Sequence, residues 1–241
     1  MSASLTSVPE WRRRAAMLLS MHIPKTAGTS FRMALQARFG DSMLLAYRGQ
    51  VRAKRPIVPF DGKLLLELEP PHQERLAEYC RTNDVACIHG HFTLPSLCQI
   101  FPDATSITFL REPVDRLISA YNHMYTTMPE AAERTSFEQF ASNARTRNVY
   151  EQLGVLECLD SLGFIGITEQ YERSLRLLEH KFPELGSLAF EEANVSQQKR
   201  FTKADVTPEV RAHLREANDG DVEIYEAALA CFEQECAAAG I

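Results

Sequence analysis

Three short clusters of chemistry-bearing residues punctuate this chain of 241 residues. They are Lys25 with Thr26, Thr29 and Ser30 in HIPKTAGTSF, His89 and His91 around Gly90 in VACIHGHFTL, and Arg111 with Ser119 in SITFLREPVDRLISAYNHM. A lysine beside clustered hydroxyls and the small residues Ala27 and Gly28 favours a phosphate or sulfate ester, because backbone amides can approach an anion that the ammonium neutralises. Imidazoles, with an ordinary pKa of about 6.5, suit proton transfer near neutrality. An arginine fork grips phosphate oxygens in pairs, and a serine hydroxyl adds a shorter-range hydrogen bond.

Each cluster follows an apolar run that must position it. Met17 to Met21 is short, continuous and followed by Pro24, the pattern of a strand buried on both faces of a parallel sheet. Phe31 to Phe39 continues with helical spacing, so a helix start aims its orphan amides and positive dipole end at the loop. Asp84 to His89, Ser106 to Leu110 and Phe164 to Thr168 predict further strands, and LLLEL near residue 66 another. Pro113 suits the first turn of a helix carrying Leu117, Ile118 and Tyr121. Pro70 to Thr82 and Ser136 to Ala144 have helical composition, and Thr207 to Ala239 predicts two helices divided at Gly220. This alternation predicts an α/β fold: a P-loop-like, three-layer arrangement with a central parallel sheet flanked by helices, whose strand ends converge on a ligand crevice. One domain over residues 1–241 is the simpler count, with 1–16 a polar extension.

Plainer readings exist for every cluster. KTAGTS could be a solvated turn, Arg111 an ion-pair partner of Glu112 or Asp115, and the two histidines a metal pair or core residues. Zinc would need further ligands, and the histidines at 22, 72, 123, 180 and 213 show no matching spacing. The nucleotide-triphosphatase motif GxxxxGK[ST] places its lysine after the loop, whereas Lys25 precedes Gly28.

With Lys25 ahead of Gly28-Thr29-Ser30, an HGH at 89–91, and Ser119 eight residues after Arg111, the chain resembles the carbohydrate sulfotransferases of the family that includes heparan sulfate 2-O-sulfotransferase. The resemblance implies an O-sulfotransferase whose donor is 3′-phosphoadenosine 5′-phosphosulfate (PAPS) and whose product is 3′-phosphoadenosine 5′-phosphate (PAP). Lys25, Thr26, Ala27, Gly28, Thr29, Ser30 and Phe31 would then hold the 5′-phosphosulfate, and Arg111 and Ser119 the 3′-phosphate. His91, ahead of His89, would be the base, and Lys25 would stabilise the leaving oxygen, with no metal required. Lys199 and Arg200 in NVSQQKR occupy the place of a late loop over the nucleotide. Arg145 and Arg147 in SNARTRN are candidates for substrate contact, as is Glu169, for which helix capping is the alternative. The acceptor would be a hydroxyl of a glycan, a glycolipid or a small hydroxylated molecule. The chain departs from animal relatives in its shortness and in lacking their disulfides and long basic groove. Competing readings are a P-loop-type small-molecule kinase, dependent on nucleotide triphosphate and magnesium, and an idle protein that only binds PAPS or PAP.

A net charge of −6, from 26 basic and 32 acidic side chains, argues against nucleic acid or other broad polyanion binding. Arg48, Arg52, Lys54 and Arg55 form either a solvated loop or an acceptor-side one. Six cysteines, at 80, 87, 98, 158, 231 and 236, contain no CxxC, which suggests reduced thiols in a cytoplasm. The apolar stretch after Trp11-Arg12-Arg13-Arg14 is too short for a signal peptide or membrane anchor. No pattern specifies an oligomer.

Overall fold

The computed structural model describes residues 17–47, 70–186, 188 and 200–241, apart from the side chains at 70–72, 94, 96 and 160. The strand expected near residue 66, the basic stretch at 48–55, residues 1–16 and Lys199 lie outside the described residues. Five strands, β1 (Leu18–Met21), β2 (Met43–Ala46), β3 (Cys87–Gly90), β4 (Thr105–Leu110) and β5 (Phe164–Ile167), form one sheet in the order β2-β3-β1-β4-β5. Every pairing is parallel, with Met21 level with Gly90 and Thr108, Ala46 level with Gly90, and Leu110 level with Ile167. The result is the expected three-layer α/β architecture. Strand β1 is buried at all four positions, as a central parallel strand must be.

The helices, in chain order, are α1 (Gly28–Phe39), α2 (Pro70–Thr82), α3 (Leu94–Ile100), α4 (Pro113–Thr127), α5 (Pro129–Glu133), α6 (Phe137–Ala141), α7 (Val149–Gln152), α8 (Val155–Cys158), α9 (Tyr171–Lys181), α10 (Pro208–Glu216) and α11 (Asp219–Ala239). Helix α1 packs on β2, α3 on β1, and α9 and α11 on β5, enclosing a core that includes Leu19, Leu35, Ile88 and Phe109. A second apolar cluster gathers Val114, Leu117, Tyr121, Phe137 and Leu214 around α4. No helix among the described residues is long and apolar enough to cross a membrane, and all six cysteines are free thiols.

Two boundaries differ from the sequence reading. Helix α1 begins at Gly28 rather than Phe31, because its first turn is glycine and hydroxyl residues that carry no apolar periodicity. The tail helices divide at Ala217–Asn218, and Gly220 lies inside α11. Asn218 makes the break: its side chain donates to Leu214 O at 2.7 Å, a carbonyl that a continuing helix would have engaged through the backbone, and accepts from Asn148 N at 3.1 Å.

Gly90 shows how tightly the sheet is closed at its carboxyl edge. A Cβ there would lie 2.1 Å from the Ala46 carbonyl oxygen of β2. Gly90→Ala is therefore expected to destabilise the fold by about 1–3 kcal/mol, since backbone rather than a side chain must yield. Urea unfolding measures this; an unchanged midpoint would refute the close approach.

Candidate active site

The first residue beyond each of the five strands forms a row along one edge of the sheet: His22, Tyr47, His91, Arg111 and Thr168. His22, Tyr47 and His91 stand level in register, while Arg111 and Thr168 are level with each other further along. Carboxyl ends of parallel strands are where α/β folds place their ligands.

Between β1 and α1 the loop is wound tightly. Lys25 (φ 72°) and Ala27 (φ 63°) both occupy the left-handed region, a conformation that costs side-chain-bearing residues about 1 kcal/mol or more and gathers at functional sites. Thr26 is buried and donates to Ile23 O at 2.9 Å, so its hydroxyl holds the loop together. Thr29 is exposed and Ser30 half-buried on the first turn of α1. That turn has no side-chain cap and no acidic residue, leaving the positive end of the helix uncompensated by its own side chains. Phe31 is a core residue, packed on Phe109 with ring centroids 4.8 Å apart. Gly28 was expected to allow an anion close approach. The structure gives it a more specific reason: a Cβ there would fall 1.9 Å from His22 Cδ2 and Nε2. Burial, and then the charge of Arg111, lowers the Lys25 pKa below the ordinary lysine value.

Arg111 at the end of β4 is held through its backbone. Its N–H donates to the Tyr150 hydroxyl at 3.0 Å, and that hydroxyl donates to its carbonyl at 2.5 Å. Tyr150 is fixed in turn by Asp221, wholly buried, whose carboxylate accepts from Val149 N and Tyr150 N at 2.8 Å and sits 3.8 Å from the buried Arg116. The guanidinium reaches Lys25 O at 3.4 Å and lies 3.8 Å from Glu169. It pairs with neither Glu112 nor Asp115. Arg211 bridges both carboxylates at 3.0 Å, Arg215 takes Glu112 at 2.8 Å, and Lys203 pairs with Asp115. Those three cations leave Arg111 free of its sequence neighbours, so the plainer ion-pair reading of Arg111 fails for them.

Glu169 stands beside Arg111. It accepts from Glu112 N at 3.1 Å and from the Tyr225 hydroxyl at 3.2 Å. Ser119 is half-buried on α4. Arg200 lies over the Tyr125 ring of the same helix at 5.0 Å, and the adjoining Phe201 is bound to Asn122 through both its N–H and its carbonyl. Arg145 is exposed and Arg147 half-buried in the turn before α7. Among the described residues, no hydrogen bond or ion pair joins their side chains to the strand-end row.

The HGH residues lie under a larger aromatic cluster than their spacing suggests. His89 is 1% exposed, and its Nδ1 is 2.8 Å from Ser20 Oγ. His22 stacks on it, with centroids 5.5 Å apart and planes inclined by 15°. His91, half-buried, lies 4.9 Å from His22 and 4.8 Å from Tyr47. The Tyr47 hydroxyl is 2.8 Å from His22 Nδ1. His89 Nε2 and His91 Nε2 are buried without a hydrogen-bond partner. Burial is the first cause that lowers the pKa of all three imidazoles. His22 is pushed down to about 3 with His91, Arg32 and Lys25 adding, His89 falls well below the ordinary value, and His91 falls more modestly. All three rings are therefore neutral at neutral pH. Stacked rings do not converge their nitrogens on one ion, and no group of three His, Cys, Asp or Glu among the described residues could hold a metal.

His22 and Tyr47 escaped the sequence reading. His22 follows a recognised strand and obeys the strand-end rule that singled out His91, whereas Tyr47 had no signal because β2 itself was not expected. Tyr150 and Asp221 act through folding contacts that no local spacing records.

No curated protein sequence matches the chain. Among solved structures, a sulfotransferase from Alicyclobacillus acidocaldarius is similar, at TM-score 0.50 and 20% identity over 88% of this chain and 94% of that one, a likeness of fold. The model of the Sulfotransferase family matches residues 12–227, which take in the loop, the HGH and the Arg111 segment alike, and the chain belongs to that family.

Proposed function

We propose that the protein transfers the sulfuryl group of PAPS in line to a hydroxyl of a carbohydrate or glycoconjugate, as one catalytic domain spanning the chain. The observation that carries the reading is that Lys25, His91 and Arg111 rise from three adjacent strands at the same edge of the sheet. The donor's 5′-phosphosulfate lies at the first turn of α1, and its 3′-phosphate at Arg111 and Ser119, with Arg200 behind them. Lys25 serves both donor binding and the leaving oxygen, because it lies in the loop before α1 with its carbonyl 3.4 Å from the Arg111 guanidinium. His91 accepts the acceptor's proton. Its greater exposure favours it over His89, which is sealed beneath His22 and tied to Ser20.

In the transfer the acceptor oxygen forms its bond to sulfur as the bond from sulfur to the bridging phosphate oxygen breaks. The proton goes to His91, and PAP leaves with the electron pair. Charge grows on the bridging oxygen, where the Lys25 ammonium offsets it. The loop amides and Arg111 hold the donor in line, converting an encounter into a positioned reaction. Glu169, 3.8 Å from Arg111, orients that guanidinium in this reading rather than meeting the acceptor.

Calorimetric titration with PAP, beside adenosine triphosphate with magnesium, tests the reading. Micromolar PAP binding alone supports it and leads to an acceptor screen with labelled sulfate; preference for the triphosphate returns the kinase reading, and PAP binding without any turnover the idle-binder one. Arg111→Ala is expected to weaken PAP binding by about 10- to 100-fold, through loss of a charge-assisted fork, with a far smaller loss for adenosine 5′-phosphate. Equal losses for both ligands would refute the 3′-phosphate assignment.

A further inference from the structure

Sulfuryl transfer by Lys25, His91 and Arg111 leaves the His22–Tyr47 pair without a task, although both belong to the strand-end row. We propose that His22 is a further catalytic residue: Tyr47 donates to its Nδ1, and its Nε2–H is thereby presented at the first turn of α1 as a donor to the sulfuryl group in transit. Tyr47 is the positioning residue. The inference rests on the sulfotransferase reading above.

Three features of the geometry support it. The two edges of the His22 ring face different things: Nδ1 is 2.8 Å from the Tyr47 hydroxyl, while Cδ2 and Nε2 lie so close to Gly28 that a Cβ there would be 1.9 Å from both. With one nitrogen committed, the other is left where the helix begins. The ring also packs against both HGH histidines, 5.5 Å from His89 and 4.9 Å from His91. It therefore stands between the loop assigned to the donor and the base assigned to the acceptor. Finally, His89 Nε2 and His91 Nε2 are buried without a hydrogen-bond partner, so those two ring edges beside His22 are not consumed by the fold.

In this proposal Tyr47 is the donor in its hydrogen bond to His22. Burial raises the Tyr47 phenol above its ordinary value and holds His22 neutral. A protonated phenol donates better than it accepts, and a neutral imidazole that accepts at Nδ1 carries its hydrogen at Nε2. An N–H there has the same sign as the first-turn amides. A bare lone pair would instead face the incoming anion. His22 keeps its proton throughout; the acceptor's proton still goes to His91, and the bonds made and broken at sulfur are unchanged.

The decisive experiment reads the His22 side chain directly, by long-range proton–nitrogen correlation on labelled protein. The Nε2–H tautomer is expected, and an Nδ1–H tautomer would overturn the proposal without any variant having to fold. Kinetics give the second test. His22→Asn keeps a polar group at the δ position only, and is expected to lower kcat by about 100-fold with PAP affinity within about 3-fold; His22→Gln, which restores a donor near the ε position, should stay within about 10-fold of the parent. Tyr47→Phe should lower kcat by about 5- to 10-fold and mix the His22 tautomers. Equal losses in the Asn and Gln variants, or a loss confined to KM, would refute the donor role. Failure of the unmodified protein to bind PAP would instead overturn the sulfotransferase reading, an outcome the tautomer does not affect.

Discussion

Replacing His91 with alanine is expected to lower kcat by about 10²- to 10⁴-fold, the usual contribution of a positioned general base, while PAP binding stays within a few-fold. The side chain is half-buried at the end of β3 with its Nε2 unpartnered, so its removal leaves the donor's loop intact. His89→Ala should act differently. That ring is sealed in the core between Ser20, Phe31 and His22, and its loss should cost about 2–4 kcal/mol of stability through the cavity and the freed Ser20 hydroxyl. Paired kinetics and unfolding curves separate the two. An active His91→Ala protein beside a folded but inactive His89→Ala would move the base to His89. The pH profile adds a sign. A base works when neutral, and burial lowers the His91 pKa below the ordinary 6.5, so the acid limb of kcat/KM should lie below that value. A limb above it would mean that His91 is not the titrating base.

Lys25→Ala is expected to reduce kcat by about 10²- to 10³-fold, by analogy with the removal of one oxyanion donor, and to weaken PAP binding less. The ammonium meets charge that grows only as the bridging oxygen leaves, so the larger loss belongs to the chemical step. Single-turnover kinetics with saturating donor measures it, and a loss confined to donor affinity would refute the leaving-group role. Because burial and Arg111 lower the Lys25 pKa, the ammonium loses its proton at lower pH than an ordinary lysine. Activity should therefore decline on the alkaline side before the usual lysine range. The backbone supplies a further contrast. At φ 72° a glycine is unstrained, so Lys25→Gly should be as inactive as Lys25→Ala yet more stable by up to about 1 kcal/mol.

The chemistry was more legible than the scaffold that aims it. Apolar runs ending abruptly in charge revealed β1, β3, β4 and β5, because buried parallel strands are nearly continuous in hydrophobicity. Strand β2, Met43–Ala46, is an apolar run of four that follows directly on a single helical turn after α1 and does not end in charge, so nothing set it apart from the helical segment before it. With it went Tyr47. The Arg111 cluster was readable as a motif, but its freedom from Glu112 and Asp115 depends on Arg211 and Arg215, about a hundred residues away. Gly28 was read as a concession to an anion, and the imidazole lying against it comes from six residues earlier. Local spacing records what a segment carries; it does not record which distant side chains have already claimed its partners.

The order of the sheet also sets a length scale. Strand β1 lies between β3 and β4, so His91 and Arg111 emerge from strands two spacings apart, about 10 Å. In the proposed mechanism that interval separates the base from the guanidinium on the 3′-phosphate, with the Lys25 loop and the phosphosulfate between them. Loop insertions elsewhere can reshape what reaches His91, and so exchange one acceptor for another, without altering this gauge; shifting the donor relative to the base would require a strand to be gained or lost.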